Sequence, residues 1–180
     1  YELKAAILAV KENSELPLLA TMTFEANGRT LTGTDPETMV AILEGLGVDA
    51  LGMNCSLGPV ESRRILEEIL SYGTIPVMIQ PNAGLPEIQG GKTVYSITEE
   101  QFVAETLRFM QEGVKIIGGC CGTKPSYIKG MRDSMSKLQS KEILTVKKTK
   151  IASPVATVTI GEDFTIIGER INPTGKKKLK

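Results

Sequence analysis

The sequence predicts an α/β fold built on parallel strands. Short apolar runs alternate with helical patterns four times over residues 1–137. The strand-to-strand spacings, about 27 to 38 residues, suit strand–helix–strand units with right-handed crossovers. The strand-like runs are also continuously apolar, as expected of parallel strands buried on both faces.

Each element has a local cause. Ala5, Ile7, Leu8 and Ala9 give an opening helix that ends near Asn13. Pro17 to Phe24 (PLLATMTF) is the first strand-like run. Thr34-Asp35-Pro36-Glu37 has the form of a capping box with an early proline. The helix behind it carries Met39, Val40, Ile42 and Leu43, and Gly45 and Gly47 close it. Val48 to Asn54 is the second strand. Pro59 opens a helix with Val60, Ile65, Leu66, Ile69 and Leu70, stopped by Gly73. Ile75 to Gln80 is the third strand, followed by a Gly- and Pro-containing loop over 81–96. Thr98 and Gln101 form a second capping box, before a helix through Phe102, Leu107 and Met110 that stops at Gly113. Val114 to Gly118 is the fourth strand, and Thr123 with Pro125 starts the last helix of this region.

Four such units fit either a doubly wound sheet or half of a (β/α)₈ barrel, which needs roughly 250 residues. Neither GxGxxG nor GxxxxGK[ST] is present. Residues 138–154 are polar and rich in Lys and Ser and read as an interdomain linker. Residues 155–180 predict two strands, Val155 to Ile160 and Phe164 to Ile171, joined by a turn at Gly161-Glu162-Asp163. That is the expected beginning of a second domain. The chain opens at Tyr1 inside a helical pattern without a methionine, so it reads as a piece of a longer protein.

Composition narrows the chemistry. The 180 residues are 41% hydrophobic, with no histidine and three cysteines. Zero histidine excludes a Ser-His-Asp triad, a Cys-His dyad and any imidazole metal ligand from this chain. Three cysteines are no disulfide framework, so a reducing cytoplasm is expected. No apolar run reaches the roughly 18 residues of a membrane span. Residues 1–137 carry 12 basic and 17 acidic side chains, net −5, and residues 138–180 carry 9 and 4, net +5. The Lys176-Lys177-Lys178 run lacks interleaved aromatics, so no nucleic-acid partner is expected.

All three cysteines follow predicted strands: Cys55 the second, Cys120 and Cys121 the fourth. In parallel α/β folds these carboxyl ends converge on one mouth, where sites are built. Thr23 and Glu25 close the first strand, and Asn82 follows the third. Three thiolates suit tetrahedral zinc with a fourth position open. Such a site carries a net charge of −1 and activates water poorly. An incoming thiol, which loses its proton on coordination, is the better match. Small buried hydrophobes, a vicinal disulfide and a structural zinc site are the alternatives.

The motifs MNCSLGP (Met53 to Pro59), PNAG (Pro81 to Gly84) and GGCCGT (Gly118 to Thr123) together resemble the homocysteine S-methyltransferase family. The resemblance spans residues 1–137. It implies the C-terminal half of a (β/α)₈ TIM barrel, its last four βα units. It also implies zinc ligation by Cys55, Cys120 and Cys121, with Asn82 in the fourth position until homocysteine displaces it. Ser56 and Gly119 would offer backbone donors to the amino acid, and Thr23 and Glu25 would face the substrate mouth. For Asn82 a plain turn role before Ala-Gly is the alternative, and for Thr23 and Glu25 a polar loop. IIGERINPTGKKKL (Ile166 to Leu179) resembles the opening of the methyltetrahydrofolate-binding barrel of the family's cobalamin-dependent members.

The implied activity is zinc-dependent activation of the homocysteine thiol, methylated from methylcobalamin to give methionine. The ultimate donor would be 5-methyltetrahydrofolate, with cobalamin and folate bound by other domains. The family's DGAMGT-like motif, which contacts the amino-acid end of homocysteine, is not in this chain, so the isolated piece is expected to be inactive. A betaine- or sulfonium-dependent methyltransferase, or a non-catalytic zinc or interaction module, are the rival functions. A half barrel would expose two strand edges, predicting association with its missing half or with a second copy.

Overall fold

The computed structural model describes residues 1–135, 138, 141–142, 146–161 and 163–165. Five helices and four parallel strands occupy the first 135 residues in the expected alternation. Helix α1 spans Glu2–Asn13, and strand β1 Leu19–Met22. Helix α2 (Pro36–Gly45), strand β2 (Ala50–Asn54), helix α3 (Pro59–Tyr72) and strand β3 (Val77–Gln80) follow. Beyond them come a small hairpin of β4 (Pro86–Gln89) and β5 (Lys92–Tyr95), helix α4 (Glu99–Glu112), strand β6 (Ile116–Ile117) and helix α5 (Pro125–Met135).

The main sheet has the order β1-β2-β3-β6, all parallel. Its register is direct: Met22 pairs Met53, Met53 pairs Ile79, and Ile79 pairs Ile117. Because neighbouring strands run in step, their carboxyl ends lie side by side. Leu51, Met53 and Ile79 are essentially fully buried, together with Leu43, Ile65, Leu66, Ile69 and Phe109 from the helices. Arg63 ties α3 to α4 through Glu105 (2.8 Å) and Glu112, and its guanidinium sits 5.2 Å from the Phe109 ring centroid.

Both expected N-terminal caps exist, one of them shifted. Thr98 accepts from the Gln101 N–H while the Gln101 side chain accepts from Thr98 N–H, a complete capping box. On α2 the cap is Asp35, which accepts from Thr38 N–H at 2.9 Å, not Thr34. Thr34 is engaged elsewhere: its hydroxyl donates to Pro154 O at 2.7 Å. All four strands are shorter than their apolar runs: β1 is confined to 19–22, β2 to 50–54, β3 to 77–80 and β6 to 116–117.

Two further differences concern hairpins. The segment 81–96, expected as a loop, contains the β4–β5 ribbon. Gly90 (φ 58°) and Gly91 (φ 75°) turn it, both in the left-handed region that a two-residue hairpin turn demands. The second hairpin is formed by β7 (Thr149–Ala152) and β8 (Thr157–Ile160), so a strand lies inside the expected linker 138–154. Its turn is Ser153-Pro154-Val155-Ala156, closed by Ser153 N–H to Ala156 O at 2.8 Å. Residues 163–165 are not in a strand, and the rest of the expected strand Phe164 to Ile171 lies outside the described residues. The β7–β8 hairpin packs on α2. Thr157 Oγ1 donates to Thr38 Oγ1 at 3.1 Å, and Lys150 meets Glu37 at 3.5 Å beneath the Tyr72 ring.

Candidate metal centre

The site lies where β2, β3 and β6 end. β2 delivers Cys55, whose N–H donates to Gln80 O at 2.9 Å, one ladder step beyond the last paired residues. Cys55 (φ 60°) and Ser56 (φ 59°) then take left-handed backbone, which swings the chain out of the strand direction. After β6, Cys120 N–H donates to Pro81 O at 2.8 Å and Ala83 N–H donates to Cys121 O at 2.8 Å. These bonds hold the third and fourth strand ends together.

The three sulfurs converge. Cys55 Sγ lies 3.7 Å from Cys121 Sγ, Cys121 Sγ lies 4.0 Å from Cys120 Sγ, and all three fall within 4.8 Å of one another. Three sulfurs bound tetrahedrally at about 2.3 Å from zinc would stand roughly 3.8 Å apart. The spacing therefore fits a zinc ion with little rearrangement. Cys55 and Cys120 are partly buried and Cys121 is exposed, so the open side faces out.

The thiols are electrostatically unequal. Burial raises the Cys55 pKa, but the Ser56 N–H and hydrogen bonds from Cys120, Cys121 and Asn82 outweigh it and hold this thiol below its ordinary range. Burial and the neighbouring Cys55 push Cys120 up to about 11. Cys55 is thus the first of these two to ionise.

The other expected residues divide. Asn82 is buried at the site, and its Oδ1 accepts from Cys121 N–H at 3.1 Å. Ser56 adjoins Cys55 in the left-handed turn. Gly119 packs against Thr123, whose side chain a Cβ at 119 would meet at 2.5 Å. Thr23 and Glu25 are exposed at the end of β1. Thr23 lines a separate groove of about 340 Å³ with Tyr1, Leu3, Leu31 and Ile42, which contains none of the thiols. The sequence reading missed Tyr95. This last residue of β5 lays its ring over Gly122, where a Cβ would fall 2.4 Å from the ring. The Gly90-Gly91 pair between two short runs was the available signal.

The fold and site define an α/β protein with a three-thiol cluster at the carboxyl ends of parallel strands. The family model for homocysteine S-methyltransferase matches residues 1–135. The chain belongs to the homocysteine S-methyltransferase family. It is 30% identical over 187 residues to the methionine synthase of Mycobacterium tuberculosis (strain ATCC 25618 / H37Rv), and 29% identical over 192 residues to that of Mycobacterium leprae (strain TN). Each match covers 99% of this chain and 16% of the relative, so the chain spans a small part of those proteins' length. Among solved structures, the metallated homocysteine methyltransferase MmuM from Escherichia coli superposes with a TM-score of 0.58 at 22% identity, over 73% of this chain and 40% of that one. The likeness shows a shared fold. Among the described residues, no helix is long and apolar enough to cross a membrane.

Proposed function

We propose that the chain carries the thiol-activating site of a methionine synthase, with Cys55, Cys120 and Cys121 as zinc ligands and homocysteine as substrate. The observation that carries this reading is the convergence of three sulfurs, from two strand ends 65 residues apart, to within 4.8 Å. Zinc bound there supplies Lewis acidity that draws the proton from an incoming thiol.

The side chains do the rest. Three thiolates around a divalent ion leave a net charge of −1, which disfavours hydroxide and keeps an added sulfur electron-rich. Cys55, the more acidic of the two partly buried thiols, provides the first anionic ligand, and metal binding would draw the proton from Cys120, whose pKa is pushed up to about 11. The exposed Cys121 borders the open side, where the substrate sulfur enters. Ser56 and Gly119 flank the cluster and present backbone to the amino-acid end of the substrate.

The methyl donor in this reading is methylcobalamin, recharged from 5-methyltetrahydrofolate, with both bound by other domains of a longer protein. The matches to methionine synthases run over 99% of the chain, well past the family match that ends at 135, and this favours the cobalamin-dependent reading over a betaine- or sulfonium-dependent one. The four βα units then form the second half of a (β/α)₈ barrel. β1 and β6 each pair with one neighbour in the main sheet, and their outer edges would join the other half or a second copy.

The test is metal analysis of freshly reduced chain after zinc loading and gel filtration. One zinc per chain, lost when any of the three cysteines becomes serine, supports the reading. A folded chain that retains no zinc overturns it.

A further inference from the structure

We infer that the β4–β5 ribbon is a clasp on the thiol loop, with Tyr95 as its positioning residue: the ring packs on Gly122 and holds Cys120 and Cys121 in their metal-binding arrangement. This inference rests on the zinc reading of the same site.

The ribbon is fastened at its root and at the end of its second strand. Ile97 N–H donates to Ala83 O at 3.3 Å, and Ala83 N–H donates to Cys121 O at 2.8 Å, so the root is bonded to the thiol loop through a single residue. Gly84 and Ile97 lie against each other there, and a Cβ on Gly84 would stand 3.3 Å from Ile97 N. All four residues of β4 are exposed, and in β5 only Val94 and Tyr95 are partly buried. The burial of the ribbon is thus confined to the end that carries Tyr95, which packs against the cluster of Ala83, Phe102 and Met131.

The contact with Gly122 is made by the base of the Tyr95 side chain. A Cβ on Gly122 would meet Tyr95 Cγ at 2.4 Å, Cδ2 at 2.5 Å and Cβ at 2.9 Å. The Tyr95 Cβ follows the β5 main chain, and Cγ moves only by a rotamer change that the packed cluster opposes. The ring therefore cannot swing aside, and the ribbon and the loop must be placed together. Gly122 has φ 79°, which an uncovered glycine leaves readily for other conformations. Thr123 secures the same turn by hydrogen bonds, its N–H and its hydroxyl both donating to Cys120 O at 3.2 and 2.7 Å. Tyr95 secures it by van der Waals contact. Without the ring Gly122 is free to turn, and Cys121 loses its fixed direction toward Cys55.

A double-mutant cycle in metal-free chain tests the contact. Gly122→Ala and Tyr95→Ala are made singly and together, and the unfolding equilibrium constant is read in urea. The backbone strain of alanine at position 122 is the same in both backgrounds, so the difference reads the ring contact. Gly122→Ala should cost at least about twofold less when Tyr95→Ala is present, the lower range of coupling between touching residues. Additive effects overturn the clasp.

Zinc affinity by chelator competition tests the positioning role. Tyr95→Ala should weaken zinc about 10- to 100-fold, as loss of a ligand-orienting group commonly does. Tyr95→Phe keeps the ring and should keep the parent affinity. Cobalt(II) loaded in place of zinc gives a readout that a general loss of stability would not move: its ligand-field bands should change in Tyr95→Ala and not in Tyr95→Phe. Parent affinity and parent bands in Tyr95→Ala, or a Tyr95→Phe loss as large as that of Tyr95→Ala, overturn the inference. A parent that binds no zinc overturns the zinc reading instead, and the cycle then decides whether the ribbon closes on the loop.

Discussion

Cys55 and Cys121 stand 66 residues apart in the chain and 3.7 Å apart at their sulfurs. The contact exists because β2, β3 and β6 run parallel and in register, which brings their carboxyl ends to one edge of the sheet. The left-handed turn at Cys55 and Ser56 then aims the first thiol across the end of β3 toward the other two.

Replacing Cys55, Cys120 or Cys121 singly by serine removes a ligand outright. Zinc affinity should drop by more than the roughly 100-fold that outer-shell changes cost, with the circular dichroism spectrum unchanged. Competition with a chromophoric chelator measures the drop. A serine variant that keeps the parent affinity would remove that cysteine from the ligand set.

In metal-free protein the thiols should alkylate in a set order. The lowered pKa of Cys55 gives it the larger thiolate fraction near pH 8, so iodoacetamide should label it well before Cys120. Cys120, at about 11, should gain reactivity only as the pH approaches that value. Peptide mass spectrometry of timed quenches reads the order, and Cys120 labelling first would refute it.

Gly122 has φ 79°, and a Cβ there would sit 2.4 Å from the Tyr95 ring. Gly122→Ala should therefore cost about 1–3 kcal/mol in urea unfolding, through overpacking and backbone strain. Zinc affinity should fall as well, because Cys121 must shift with its neighbour. An unchanged midpoint would show that the β4–β5 hairpin does not close on this loop.

Asp35 caps α2, and its removal as Asp35→Ala should cost about 1 kcal/mol. Burial acts to raise its pKa, but the hydrogen bonds from Thr38 and the nearby Arg29 outweigh it and lower it from 3.8. A carboxyl with a depressed folded-state pKa stabilises fully above its unfolded value and loses that contribution as pH falls through the folded one. The parent should thus lose stability below about pH 4 more steeply than Asp35→Ala. Parallel acid profiles of the two proteins would contradict this.

Much of this was legible in the sequence because it depends on local pattern. The α/β alternation followed from apolar runs, and the thiol trio from the rule that parallel strand ends converge. What was missed depends on contacts distant in sequence. Thr34 could have capped α2, but it bonds Pro154, 120 residues away, and Asp35 takes the cap. Thr149–Ala152 looked like linker because it is polar, yet docking on α2 through Thr38–Thr157 and Lys150–Glu37 orders it as a strand. Tyr95 reaches the site only once the β4–β5 ribbon has folded: the Gly90-Gly91 pair signals the turn, but nothing local says which loop the ribbon packs against. Thr23 and Glu25 share the sheet edge with the thiols but face a different groove or solvent, because a strand end fixes a position and not the direction of the loop beyond it.

X-ray absorption at the zinc edge, on zinc-loaded chain without and with homocysteine, tests the central claim most directly. The account predicts a first shell of three sulfurs and one lighter atom that becomes four sulfurs when homocysteine is added. A shell with fewer than three sulfurs, or one that homocysteine leaves unchanged, would contradict it.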